Sequence, residues 1–124
     1  MQSNIDLDVA SEEIARRLDR WARSGLRVGS CTWRDRGRGW PPAIVEDREE
    51  AVDPDSVGVQ ITKPGDGPLD QHLELVLYLG GWVDWLFHSG VVDDDPVVGA
   101  TGVDHPLSVS GFGDLLDEVI RHFR

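Results

Sequence analysis

Residues able to do chemistry are few in this chain, and they are scattered. The four histidines, His72, His88, His105 and His122, form no HxxxH or HExxH motif that would present two imidazoles to one zinc ion. A zinc site would need a cluster assembled by the fold from distant segments. Asp93, Asp94, Asp95 and Asp104 are hard oxygen donors of the kind that bind calcium, but DDDP lacks the alternating ligands and the glycine of a calcium loop, and it reads as a solvated turn. The single cysteine, Cys31 in LRVGSCTW, excludes an intramolecular disulfide. As a nucleophile it would need a histidine base, an orienting group and an anion-stabilising donor. No local motif marks these, so a buried strand cysteine is expected. Arg34, Arg36 and Arg38 in RDRGRG are of the type that grips phosphate or carboxylate, yet their glycine-rich setting fits an exposed loop. Neither this stretch nor GATG matches a Walker loop or a dinucleotide fingerprint. Asp84 and His88 are the one polar pair that falls on an apolar pattern. No cofactor and no metal is expected.

Charge is more informative. The 124 residues carry a formal net charge of -11. Residues 1 to 39 hold eight Arg against six Asp and Glu, whereas residues 40 to 120 hold Arg48 and Lys63 against seventeen acids. The acids concentrate at Glu46, Asp47, Glu49 and Glu50, followed by Asp53 and Asp55, and again at Asp93, Asp94 and Asp95. Such a field repels nucleic acid and anionic lipid and attracts cationic partners over about a Debye length, ~8 Å. The two blocks are either solvated loops or a patch for a basic partner. No apolar run approaches the ~20 residues of a membrane helix. The opening MQSNIDLDVASEE has neither the basic nor the apolar region of a secretory signal, which predicts a cytoplasmic protein.

The length predicts one domain, residues 1 to 124. SEEIARRLDRWARSG predicts a helix with Ser11 as N-cap, Glu12 and Glu13 in the first turn, Arg20 and Arg23 near the other end, and Gly25 as the stop. Ile14, Leu18 and Trp21 form its apolar stripe. A strand in LRVGSCTW, a loop in RDRGRGWPP and a short strand in AIVEDR follow. SVGVQIT alternates, with Val57, Val59 and Ile61 on the inward side. In LELVLYLGGWVDWLFHSG the Gly80-Gly81 pair predicts a two-residue hairpin turn. That turn sets Leu79 opposite Trp82, Leu77 opposite Asp84, Leu75 opposite Leu86 and Leu73 opposite His88. The leucine face is then the core, and Asp84 on it requires an edge position, a partner or a bulge. His72, Glu74, Val76, Tyr78, Val83, Trp85 and Phe87 make a second, aromatic face, covered either by a loop of the chain or by a partner. One more strand is expected around residues 96 to 103, weakened by Gly99 and Gly102. SGFGDLLDEVIRHFR predicts a closing helix capped by Ser110, with Phe112, Leu115, Leu116, Val119, Ile120 and Phe123 as its stripe. The element order predicts an α+β domain: a mostly antiparallel sheet of four to six strands with an N-terminal and a C-terminal helix on one face.

A small acidic domain with an opening amphipathic helix, the tryptophan-bearing hairpin YLGGWVDWLF and the closing SVSGFGDLLDEVIRHF helix resembles the small cytoplasmic immunity proteins that accompany bacterial polymorphic toxins. The likeness covers most of the chain in architecture and contains no diagnostic motif. It implies a non-catalytic inhibitor that binds a cognate toxin domain. From the residues themselves, the candidate partner surface comprises Glu74, Tyr78, Trp85 and Phe87 of the hairpin with the acids Glu46, Asp47, Glu49, Glu50, Asp93, Asp94 and Asp95, and the partner is a basic protein. Two other readings stay open. One is a secretion-chaperone-like interaction module, which would dimerise through a helix or a sheet edge. The other is a small-ligand binder or enzyme, whose pocket would gather Trp33, Trp40, His72 or His88 around a perturbed acid. Monomer and homodimer remain equally open.

Overall fold

The computed structural model describes residues 4 to 124; the first three residues of the N-terminal stretch read above lie outside them. Helix α1 (Leu7–Ala15) begins before Ser11, because Asp6 is the cap: its Oδ1 accepts from the Val9 amide at 3.1 Å. Ser11 sits inside the helix, its hydroxyl donating to the Asp8 carbonyl at 2.7 Å. The helix breaks at Arg16 and Arg17 and resumes as α2 (Leu18–Arg23). Leu18 is consequently 40% exposed while Ile14 and Trp21 are each 2% exposed, so the expected stripe holds at its two ends and fails in the middle.

Seven strands follow, β1 (Arg27–Val28), β2 (Thr32–Asp35), β3 (Ala43–Val45), β4 (Pro54–Lys63), β5 (Gln71–Tyr78), β6 (Val83–His88) and β7 (Val97–Thr101), and then helix α3 (Val109–Val119). All pairings are antiparallel, in the order β3-β2-β4-β5-β6-β7, with β1 on the far end of β4. The α+β architecture is as expected. The extra strand arises because LRVGSCTW divides into β1 and β2, both laid against β4. Cys31 falls in the gap between them, half-buried rather than inside a strand, and desolvation raises its thiol pKa. The cap of α3 is Ser108 in place of Ser110, its Oγ accepting from the Gly111 amide at 3.1 Å.

One apolar cluster fills the space between sheet and helices. Val57, Val59 and Ile61 of β4, Leu73, Leu75 and Leu77 of β5, and Val83 and Phe87 of β6 meet Ile14, Trp21, Phe112, Leu116 and Val119. Period-two alternation along the strands puts these sheet residues on a single face, so the helices cover that face together. Arg17 ties the helices to one another: its guanidinium bonds Asp117 of α3 and donates to the carbonyls of Glu13 and Gly113.

The β5–β6 hairpin differs from expectation by one residue. Its loop is Leu79-Gly80-Gly81: the Tyr78 carbonyl accepts from the Gly81 amide at 2.8 Å, the Tyr78 amide donates to the Trp82 carbonyl at 2.9 Å, and Gly81 has φ +88°. A three-residue loop ending in a positive-φ glycine is a favoured hairpin connection, and it needs only the second glycine. Leu73 therefore pairs with Phe87, Leu75 with Trp85, Leu77 with Val83 and Val76 with Asp84. Because side chains alternate with period two, the shift moves every β6 residue to the other face. Asp84 leaves the core, which removes its need for a buried partner, and Trp85 and Phe87 enter the leucine face.

Candidate protein-binding surface

The sheet face turned away from the helices has no element laid across it among the described residues. At the hairpin-turn end of this face the rings of Tyr78 and Trp82 stack at 4.0 Å with 14° between their planes. Next along the face come half-buried Val76 opposite exposed Asp84, then exposed Glu74 opposite half-buried Leu86, and Val98 of β7, paired with Leu86, is 67% exposed. His72 Nε2 stands 2.9 Å from Glu74 Oε1, which also takes a 3.5 Å bond from Gln60 Nε2. The patch thus has an aromatic end at the hairpin turn, followed by aliphatic and carboxylate side chains that alternate across the two strands.

Of the residues expected at a partner surface, Tyr78 and Glu74 lie here. Phe87 does not: it is 6% exposed, edge-on to Phe123 at 5.1 Å. Trp85 does not either, being half-buried on the helix side with its ring 5.2 Å from that of His122. Both corrections follow from the one-residue register difference. Trp82 was missed for the same reason. The signal that could have found it is the alternative loop length, which pairs it with Tyr78.

The acidic blocks do not converge. Residues 46 to 50 follow the edge strand β3 and lead into a 3-10 turn, Arg48–Glu50, on the helix side. There Arg48 bonds Asp8 of α1 through Nε at 2.6 Å and Nη2 at 3.1 Å, and its guanidinium lies 5.2 Å from the Trp33 ring centre. Asp47 caps this turn by accepting from the Glu49 amide at 3.0 Å, and Glu46, Glu49 and Glu50 are exposed. Asp93, Asp94 and Asp95 occupy the β6–β7 loop at the other edge of the sheet. Asp94 accepts from the Ser89 hydroxyl at 2.7 Å, and its carbonyl lies 3.2 Å from His88 Nε2. Only the second block borders β7.

The RDRGRG segment is braced, not free. Arg34 faces Asp55 at 3.9 Å, Arg36 faces Asp53 at 3.1 Å, and Arg38 faces Asp35 at 3.3 Å. Asp35 is fully buried and holds the loop from inside, accepting from the amides of Asp53 at 2.8 Å, Val52 at 3.0 Å and Gly37 at 2.9 Å. Those donors, Asp53 and Val52 foremost, lower its pKa.

His72 and His88 are opposite one another in the β5–β6 ladder, but His88 Nδ1 accepts from the Gly90 amide at 3.0 Å, which directs it toward its own loop. Trp33 is in the core, while Trp40 is 85% exposed. No group of three or more His, Cys, Asp or Glu among the described residues could hold a metal ion. An open cleft of about 530 Å³ lies between α2 and the C-terminal segment, lined by residues including Arg20, Lys63, Arg121 and Phe123. A second of about 480 Å³ lies on β6 and β7. Neither gathers Trp33, Trp40, His72 or His88. No helix among the described residues is long and apolar enough to cross a membrane. No protein-family model, curated protein or solved structure matches the chain.

Proposed function

We propose that the protein is a non-catalytic protein-binding factor of the immunity type, which neutralises a basic toxin domain by holding it against the uncovered sheet face. The observation that carries this reading is the Tyr78–Trp82 stack at the hairpin end of that face, followed along it by the cross-strand pairs Val76–Asp84 and Glu74–Leu86, which set carboxylates among the apolar side chains. A stacked aromatic pair is already ordered before a partner arrives, so it offers a large contact area at little further entropic cost, as interface anchors do. The net charge of -11 favours a cationic partner and steers its approach, an effect that falls with salt.

The test is capture from host lysate with tagged wild type and with a Trp82→Ala/Val76→Glu variant, at low and at high salt. One basic protein retained by the wild type, released by salt and absent from the variant is expected. That protein, expressed alone, should arrest growth, and co-expression of the wild type should relieve the arrest. Recovery of the bait alone, or a captured protein that is harmless when expressed alone, would remove the immunity reading.

A further inference from the structure

Strand β7 closes the sheet with a bare hydrogen-bonding edge. The opposite edge strand, β3, has three residues and follows Pro41 and Pro42; β7 follows Pro96 but has five residues, VVGAT, with no proline or charge within the strand. The bond from the Tyr78 amide to the Trp82 carbonyl sets the alternation along the hairpin, so Asp84 and Leu86 bond to β5 while Val83, Trp85 and Phe87 bond to β7. Their β7 partners are Thr101, Gly99 and Val97. The amides and carbonyls of Val98 and Ala100 consequently point out of the sheet, where no strand among the described residues meets them. Val97 is 46% and Val98 67% exposed. An apolar edge of this kind is one that natural sheets ordinarily blunt.

Beside those outward groups is a recess of about 480 Å³, lined by Asp84, Trp85, Val98, Gly99 and Ala100. The Trp85 indole lies over Gly99 so closely that a Cβ there would fall 2.5 Å from the ring, so glycine is what lets the indole lie along the edge. Charge selects the occupant. Asp93, Asp94 and Asp95 precede β7, Asp104 follows it, and Asp84 pairs with Ala100. A second copy added antiparallel would bring residues 93 to 95 of one chain toward Asp104 of the other, acid against acid. A basic strand meets opposite charge at both ends.

We propose that β7 accepts an extended basic segment of a protein partner as an added strand, bonded to the backbone of Val98 and Ala100, with an apolar side chain of that segment in the Trp85–Gly99 recess. This rests on the protein-binding reading and adds the mode of contact and the chemistry of the partner. The test uses isotope-labelled protein titrated with the acetylated, amidated peptide KVKVTVKK and with its acidic counterpart EVEVTVEE, followed by amide and indole NMR. Expected are shifts at residues 97 to 101 and at the Trp85 indole with the basic peptide, and affinity about tenfold lower for the acidic one. Ala100→Pro deletes one outward N–H without touching the bonds to β6, and should weaken binding by about tenfold. Val98→Lys, which leaves the backbone intact, should weaken it by repulsion should the proline variant fail to fold. Shifts confined to Val76, Tyr78 and Leu86, or unchanged affinity in the variants, would overturn the added strand while leaving the protein-binding reading standing. No shift anywhere would likewise overturn the added strand, and the protein-binding reading would then stand or fall on the lysate capture alone. A β7-mediated dimer of the free protein in sedimentation would replace the basic partner with a second copy and overturn the proposal as stated.

Discussion

Arg17 grips Asp117 with two parallel bonds, Nε to Oδ1 at 2.8 Å and Nη2 to Oδ2 at 3.1 Å, from the point where α1 gives way to α2. The same guanidinium donates to the Glu13 carbonyl at 2.8 Å and the Gly113 carbonyl at 3.1 Å, so one side chain joins the two sides of the helical layer. Charge-assisted bonds of this type contribute about 1.5 to 3 kcal/mol. The Asp117 side chain is 39% exposed, and solvent screening brings the expected loss for Arg17→Ala to about 1 to 2 kcal/mol. Arg17→Lys should recover little of it, since a point charge cannot match two carboxylate oxygens and two carbonyls at once. Urea midpoints of the three proteins decide this; full recovery by lysine would mean that charge alone matters.

Gly113 is the other half of that junction. A Cβ at this position would meet Arg17 Nη2 at 3.0 Å and Glu13 Oε1 at 3.3 Å. In an open helix interior, Gly→Ala stabilises by roughly 1 kcal/mol. Here the guanidinium is held by its bonds and cannot yield freely, so Gly113→Ala should give none of that gain in the wild type. In an Arg17→Ala background it should give nearly all of it. Equal effects in the two backgrounds would show that Arg17 does not restrict the site.

The two hairpin tryptophans should separate stability from binding. Trp85 lies on the helix side against His122 and over Gly99, so Trp85→Ala should cost about 2 to 3 kcal/mol, below the ~3–5 kcal/mol of a fully buried large aromatic. Trp82 stacks on Tyr78 on the uncovered face, and Trp82→Ala should cost about 1 kcal/mol while releasing the partner. Thermal melts set beside pull-downs would expose the reverse assignment, in which Trp85→Ala folds well and Trp82→Ala does not.

Local patterns were readable in the sequence wherever a single element decides them. The alternation of Val57, Val59 and Ile61 and the stripe of Phe112, Leu115, Leu116 and Val119 identify their buried faces without reference to anything distant. The hairpin register was not readable, because Gly80-Gly81 suits both a two-residue and a three-residue loop, and a single residue of difference exchanges the faces of Asp84, Trp85 and Phe87. Tyr78 and Glu74 were placed on the second face because β5 keeps its phase under either register. Trp82 needed the loop length. Asp35 was hidden for another reason: its donors Val52 and Asp53 are 17 and 18 residues away, and nothing in RDRGRG announces them.

Asp35 makes stability pH-dependent in a definite direction. Its carboxyl is held below the ordinary value of 3.8, first by the Asp53 and Val52 amides and then, against the cost of burial, by the Gly37 amide and the Arg38 charge. Asp117 is lowered in the same sense by its bond to Arg17. A carboxylate with a depressed native pKa binds fewer protons folded than unfolded, so its contribution is complete above the unfolded value and is lost as pH falls through the native one. The urea midpoint of the wild type should therefore drop on acidification below that ordinary carboxylate value. Asp35→Asn should already be destabilised at neutral pH, because its NH2 must replace one of the two acceptor oxygens, set against the Val52 amide or against those of Asp53 and Gly37, and the charge facing Arg38 is lost; its midpoint should fall less steeply with acid. Parallel acid limbs for the two proteins would show that Asp35 is not among the groups whose protonation unfolds the domain.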